Sequence, residues 1–398
     1  MLYIRADGNA EIGMGHVMRC LSVAEAAADL DGMHRPVFIT ADERCCPMIR
    51  DRGFQVIVLG TDYRDMMCEL SQLETLLGVP PGAGSGHVLL VDSYQVSREY
   101  YLALRKFVKV ACFEDMGEAY PVDLLITYNI YAPVLEKNYR CFDWECQETD
   151  RYPRQLLLGA QYMPLRKAFQ KPAGYAVNNQ VTDVIITTGG SDPYFATAAF
   201  ADALISDRAI AEQGIHLHLI SGPFNRYADE LKRKYQNQCS SRNTSSADTP
   251  TVMITIHENV KDMRSLLLQS DVVITATGST IYEVSSLGVP MIVFYFAENQ
   301  RQGAEALEKL TDIVNAGCFA GNGEAVADRI REALKRCISD KSYRELLNCQ
   351  ETGLIDGRGA RRIAEQLVHL VTETCMDEKA TGEMREHDDR REKKTIEL

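Results

Sequence analysis

No stretch of this sequence approaches the roughly 18 consecutive apolar residues that a membrane-spanning helix needs; the longest apolar run covers residues 289–297. The N-terminus lacks the basic, apolar, small-residue pattern of a secretion signal, which predicts a cytoplasmic protein. Excess positive charge is absent too. Lys and Arg number 43 against 56 Asp and Glu, a net charge of -13, which disfavours nonspecific attraction to nucleic acid or anionic membrane. The 12 cysteines include no C-x-x-C pair and no Cys/His array of zinc-finger spacing, so reduced thiols are expected. His216-Leu217-His218 sets two imidazoles on one strand face. The sequence offers them no evident third ligand, so a solvated face rather than a metal centre is expected. Nor is any acidic pair or triad placed to hold magnesium, and no metal or cofactor is expected.

What is present is ordinary globular composition, 45% hydrophobic and 25% charged, over a length that suggests two or three domains. Short apolar or β-branched runs predict strands at 2–5, 35–40, 55–59, 88–92, 109–113 and 124–127. A second set falls at 183–188, 215–221, 252–257, 271–275 and 291–296. Helical periodicity lies between them, notably over 16–30, 97–106, 194–205, 260–269, 281–287 and 301–315, with closing helices at 325–335, 342–348 and 359–374. Strands that are continuously apolar and alternate with helices predict α/β architecture with parallel sheets covered on both faces. The pattern restarts after the polar, Pro- and Gly-containing stretch 171–180. Two doubly wound domains facing a cleft are therefore expected, over 1–170 and 181–375, joined by a linker at 171–180. From Met376 to Leu398 the chain is charged and polar, and a disordered tail is expected.

Three strand-to-helix loops carry the candidate chemistry. The first, Arg5-Ala6-Asp7-Gly8 through Gly13-Met14-Gly15-His16-Val17-Met18-Arg19, is glycine-rich but is not the G-x-G-x-x-G of dinucleotide enzymes. Gly13 and Gly15 let backbone approach a ligand closely. His16 falls in the first helical turn, where the helix dipole disfavours a second positive charge, and a neutral imidazole there can act as general base. Arg19, one turn on, can hold an anionic group or sit solvated on the helix surface. The second loop, Thr188-Gly189-Gly190-Ser191-Asp192-Pro193, is either an anion site or a tight turn in which Ser191 or Asp192 caps the next helix. The third, Ala276-Thr277-Gly278-Ser279-Thr280-Ile281-Tyr282-Glu283, offers N–H and O–H donors to a diphosphate. Its Glu283 can accept from ribose hydroxyls or close a capping box with Thr280. Asn299 and Gln300 can hydrogen-bond a sugar or phosphate.

Taken with Leu90-Val91-Asp92-Ser93-Tyr94, Leu158-Gly159-Ala160-Gln161-Tyr162 and Ile355-Asp356-Gly357-Arg358-Gly359-Ala360, these motifs resemble the PseG/SpsG family. Its members are UDP-sugar hydrolases of pseudaminic acid synthesis and spore-coat polysaccharide proteins. The resemblance runs in order over roughly residues 1 to 370. The second half is also similar to MurG-type glycosyltransferases, through Val260, Asp262-Met263, Gly278-Ser279-Thr280, Glu283 and Gly288-Val289-Pro290. Together they imply a GT-B architecture acting on a small-molecule UDP-sugar. On this resemblance uracil lies against the backbone near Val260, ribose on Glu283, and diphosphate at Gly190-Ser191 and Gly278-Ser279-Thr280. Asn299 and Gln300 would face sugar or pyrophosphate, His16 would activate water, and Tyr94 would face the sugar. Glu114-Asp115 departs from the paired aspartates of relatives, and the charged tail has no counterpart in the family. The implied reaction is metal-independent hydrolysis of a UDP-linked 2,4-diacetamido-2,4,6-trideoxy sugar. A glycosyltransferase and a noncatalytic nucleotide-sugar binding module are the alternatives, and the oligomeric state is left open.

Overall fold

The computed structural model describes residues 1–9, 11–30, 35–78, 86–140, 152–170, 174–236 and 252–372, apart from the side chain of Asn299. The expected tail at 376–398 and the first residues of the expected linker lie outside them. The chain divides into two compact units, one formed by Met1–Arg166 with the segment from Arg358 onward, the other by Lys167–Gly357.

The first unit is built on a parallel sheet of seven strands in the order β3-β2-β1-β4-β5-β6-β7. These are β1 (Leu2–Ala6), β2 (Val37–Thr40), β3 (Gln55–Val58), β4 (Val88–Asp92), β5 (Lys109–Phe113), β6 (Leu124–Thr127) and β7 (Gln155–Leu158). Strand β4 is buried along its whole length, as a run of Val and Leu must be when helices cover both faces. Its residues divide by the period of two. Leu90 packs with Val17 and Leu21 of α1 (Gly15–Ala28), whereas Leu89 and Val91 pack on the opposite face. There they meet Leu73 and Leu77 of α3 (Leu70–Leu77) and Tyr101 of α4 (Arg98–Leu104). Two short helices, α2 (Cys46–Asp51) and α5 (Glu136–Arg140), complete the layers.

The second unit carries six parallel strands in the order β10-β9-β8-β11-β12-β13. They are β8 (Asp183–Thr187), β9 (His216–Ser221), β10 (Met253–Glu258), β11 (Val272–Ala276), β12 (Met291–Tyr295) and β13 (Val314–Cys318). The helices are α6 (Ala196–Ile205), α7 (Arg208–Ala211), α8 (Ala228–Tyr235), α9 (Met263–Leu268), α10 (Thr280–Leu287), α11 (Glu298–Leu310), α12 (Gly323–Ser339) and α13 (Lys341–Leu354). Side chains at the helix starts explain several boundaries. Asp207 accepts from two first-turn N–H groups of α7, Asp262 caps α9, and Asp340 caps α13.

The structure departs from the sequence expectation in several places, among them the unexpected strand β7 and helices α3 and α8. The helix 359–372, α14, was expected in the second domain but belongs to the first unit. Its stripe of Ile363, Leu367, Leu370 and Val371 recurs at helical spacing and buries against β1 and α1. The expected linker is not free-standing from 174 onward. Tyr175 Oη donates to the Ser270 carbonyl at 3.1 Å, Asn178 to Asp271 at 2.8 Å, and Arg344 Nη2 to the Asn178 carbonyl at 2.6 Å. These bonds stitch the segment to the second unit. Finally, the helix expected over 301–315 runs from Glu298 to Leu310, and the next residues open β13 instead. No helix among the described residues is long and apolar enough to cross a membrane.

Glu351 in α13 is fully buried. One carboxyl oxygen accepts the Met291 N–H at 3.1 Å, and the other finds no partner among the described residues. Burial pushes this carboxyl well above the usual carboxylate range. A carboxyl raised on folding is accommodated at low pH and opposes folding increasingly as pH rises from its unfolded value through its folded one. Glu351→Gln keeps the acceptor and cannot ionise. The variant should therefore match the parent in acid and exceed it in melting temperature at alkaline pH; equal curves across pH would refute this.

Candidate active site

In both units the candidate loops fall at the point where strand order reverses. From β1 the chain moves outward to β2 and β3, while β4 starts the other half of the sheet. Loops leaving the carboxyl ends of β1 and β4 therefore diverge and leave a crevice, the usual ligand position in open α/β sheets. In the second unit the same reversal lies between β8 and β11. The paired strands β8 and β11 lead into Gly189-Gly190-Ser191 and Gly278-Ser279-Thr280, the two loops expected to share a diphosphate.

The first loop is shaped by Asn9, whose side-chain oxygen accepts the N–H groups of Glu11 and Ile12 at 2.8 and 3.1 Å. It closes through Asn9 N–H to the Gly13 carbonyl at 3.2 Å. Gly13 has φ +74°, open to glycine without a Cβ clash. Gly15 begins α1, and His16 follows in the first turn as expected. Its ring is buried, 6% exposed, with an edge-to-face contact to Tyr94 at 4.6 Å between centroids. His16 Nδ1 lies 2.6 Å from Asp92 Oδ1. A carboxylate only accepts, so the proton of this contact sits on Nδ1, and Nε2 is the acceptor of the neutral ring. Nε2 has no protein partner among the described residues and is not one of the enclosed unsatisfied atoms. The geometry is that of an oriented general base.

Arg19 is where the structure corrects the sequence reading. It is neither a solvated surface residue nor free to hold an anion, being 8% exposed with its donors committed to protein. Nε and Nη2 clamp the two oxygens of Asp92 at 2.5 Å each, and Nη1 reaches Asp115 Oδ2 at 2.6 Å and Tyr128 Oη at 2.8 Å. The guanidinium also stacks 4.8 Å from the Phe113 ring centroid. Burial pushes the Asp92 carboxyl up, but Arg19 and His16 outweigh burial and hold it well below the usual carboxylate range. Asp92 is thus a fixed anion behind the imidazole. Tyr94, half exposed, donates to Asp115 Oδ2 at 3.0 Å. Burial and the Asp115 charge raise its phenol, so it keeps its proton.

Asp92, Asp115 and Tyr128 were not assigned from sequence. The signal for Asp92 was its position at the carboxyl end of a strand, and parallel pairing sets it opposite Ala6, directly before the glycine loop. Asp115 stands in the loop noted above for its departure from the family pattern. It anchors both Arg19 and Tyr94, and its Oδ1 is buried without a partner among the described residues.

In the second unit, Asp192 rather than Ser191 secures the helix start, accepting from the N–H groups of Ala196 and Thr197 at 2.8 and 3.0 Å. Gly190 and Ser191 remain exposed. The loop is pinned by Gly222, where a Cβ would come within 2.3 Å of the Gly189 carbonyl oxygen. At α10 the cap position falls on Ser279, not Thr280, and α10 has no side-chain cap hydrogen bond among the described residues. Gly278 and Ser279 are exposed, with Thr280 and Glu283 half-buried. Val260 lies half-buried in the β10–α9 loop after Asn259, which has φ +49°. Gln300 is partly spent on its own loop: its Oε1 accepts the Phe296 N–H at 2.9 Å and its carbonyl the Thr277 hydroxyl at 3.2 Å. Asn299 precedes it in the first turn of α11, its side chain outside the described set.

Two parallel-sheet α/β units with loop crevices at their strand reversals give this chain the GT-B fold. The chain is similar to the spore coat polysaccharide biosynthesis protein SpsG of Bacillus subtilis. They are 25% identical over 379 residues, which cover 92% of this chain and 97% of that protein. It is 26% identical over 304 residues to an uncharacterised protein of Methanocaldococcus jannaschii; the match covers 75% of this chain but only 56% of that relative. No family model matches the chain. Among solved structures, MurG of Acinetobacter baumannii superposes with a TM-score of 0.59 at 11% identity, covering 92% of this chain and 98% of MurG. The UDP-GlcNAc 2-epimerase of Neisseria meningitidis bound to UDP-GlcNAc gives 0.52 at 12% identity, covering 93% and 100%.

Proposed function

We propose that the protein hydrolyses a UDP-linked 2,4-diacetamido-2,4,6-trideoxy sugar to UDP and the free sugar, as in pseudaminic acid-type nonulosonate synthesis. The observation that carries this reading is the His16–Asp92 pair at 2.6 Å, set at the strand reversal of the first unit. A water molecule gives its proton to His16 Nε2 as its oxygen bonds to the anomeric carbon. The anomeric C–O bond breaks, and its electron pair leaves with the diphosphate of UDP. Asp92 stabilises the imidazolium that forms, and Arg19 acts as a positioning residue for Asp92. Tyr94, held by Asp115, contacts the sugar.

In this reading the second unit binds the nucleotide: uracil at the Val260 backbone, ribose on Glu283, and diphosphate on Gly190, Ser191, Gly278, Ser279 and Thr280. The N–H groups opening α10 meet the charge that develops on the leaving diphosphate. Asn299 and the amide of Gln300 complete the pyrophosphate side. The resemblance to SpsG and the nucleotide held by the Neisseria epimerase support a UDP-sugar as substrate class.

Purified protein incubated with candidate UDP-sugars should release UDP together with free sugar, read by NMR, without any added acceptor. Release only when an acceptor is supplied, with the sugar transferred to it, would make the protein a glycosyltransferase. Nucleotide binding without release from any donor would make it a binding module.

A further inference from the structure

The second unit holds a cluster that the proposed reaction does not use. His216 and His218 point to one face of β9, where a solvated pair was expected. The structure corrects that expectation: the two side chains are only 19% and 14% exposed, and a third group joins them from β8. Strand pairing sets Asp183 opposite His216. Asp183 Oδ1 lies 2.9 Å from His218 Nε2 and 3.6 Å from His216 Nδ1. These three ligand atoms all fall within 4.8 Å of one another.

We propose that Asp183, His216 and His218 form a binding site for a divalent transition-metal ion of the zinc type. Zinc bonds to nitrogen and oxygen at about 2.0–2.2 Å in tetrahedral geometry, which separates ligand atoms by roughly 3.3–3.5 Å. The two distances to Asp183 bracket that separation. Two imidazoles and one carboxylate are a donor set suited to zinc, with a fourth position left for water.

The outer partners point the same way. A metal-bound histidine is oriented by a hydrogen bond at its other ring nitrogen, and a ligating carboxylate is itself hydrogen-bonded. His216 Nε2 is 2.8 Å from the Thr255 hydroxyl, His218 Nδ1 is 3.0 Å from His257 Nε2, and the Thr182 hydroxyl donates to Asp183 Oδ2 at 2.7 Å. Each ligand therefore keeps one atom toward the shared centre and has the other held in place. Thr255 and His257 lie on β10, so the ion would tie β8 and β9 directly and β10 through its outer partners. Asp183 opens β8, about 13 Å along the strand from Thr187 and the donor loops. The site is separate from the proposed chemistry.

The test uses the full chain, stripped with chelator and titrated with zinc chloride by calorimetry. One ion per chain is expected, with a rise in melting temperature on zinc addition. Asp183→Asn, His216→Ala and His218→Ala should each weaken binding at least a hundredfold. Thr255→Val and His257→Ala should weaken it by about 10–100-fold, and His87→Ala should leave it unchanged. Cobalt(II) in the parent protein should give the visible bands of a tetrahedral nitrogen–oxygen site, a readout that needs no variant to fold. Absence of stoichiometric zinc, zinc retained by Asp183→Asn and His218→Ala, or a thiolate-to-cobalt charge-transfer band would overturn the proposal.

Discussion

His16→Ala should lower turnover of the UDP-sugar by about 10²–10⁴-fold, the typical worth of general base assistance, while UDP affinity stays within a factor of about two of the parent. The second half of that expectation follows from chain position, since the nucleotide is assigned to loops of the second unit and His16 belongs to the first. Asp92→Asn is the sharper probe of mechanism. An amide at that position can present N–H as well as C=O to Nδ1, so the tautomer that frees Nε2 is no longer enforced. It also removes the negative charge that stabilises the imidazolium. Turnover of Asp92→Asn should therefore fall about as far as that of His16→Ala, and the double variant should lose little more, because the two groups act as one unit. Independent, multiplicative losses in the two single variants would contradict the shared role. Turnover that survives His16→Ala would remove His16 as the base.

Glu69→Ala should destabilise the protein by about 3–5 kcal/mol, the cost of stripping one partner from a buried ion pair. Arg5 and Glu69 are both fully buried. Arg5 Nε donates to Glu69 Oε1 at 2.9 Å, Nη2 donates to Oε2 at 2.8 Å, and the Tyr100 hydroxyl donates to Oε1 at 2.6 Å. Asp7 takes a further bond from Arg5 Nη1 and accepts the Ala41 N–H at 2.8 Å, which links the network to the edge of the glycine loop. Removing Glu69 leaves a guanidinium with one carboxylate instead of two, and a buried phenol without its acceptor. Whole domains are stable by only about 5–15 kcal/mol, so the loss should be plain in urea unfolding. A change below about 1 kcal/mol would show that the network is replaceable by solvent or by rearrangement.

The legible part of this fold was what strand and helix periodicity can express. The runs at 88–92, 109–113 and 183–188 are apolar between their charged or hydroxyl-bearing ends because helices cover both sheet faces, and they appear as β4, β5 and β8. β13 was missed because Val314-Asn315-Ala316-Gly317-Cys318 has little β-branched character and follows the helical pattern of α11 without a break. α14 was legible as a helix but not in its placement, since an apolar stripe says only that something must cover it. His16 was legible because a glycine loop from strand to helix sets its position locally.

The sequence by itself determined the alternating α/β pattern, the three glycine-bearing loops at strand ends and the histidine in a first helical turn. These depend on backbone freedom and on spacing within a few residues. Only the tertiary structure decided that Asp92 stands behind His16, that Arg19 is committed to two carboxylates, and that Asp183 joins His216 and His218. Those groups come from strands, or from the loop or helix that follows a strand, joined through crossovers, and the parallel register, Ala6 against Asp92 and Asp183 against His216, brings them together. Register is set by which apolar faces the helices bury, a property of the whole sheet that no single segment carries.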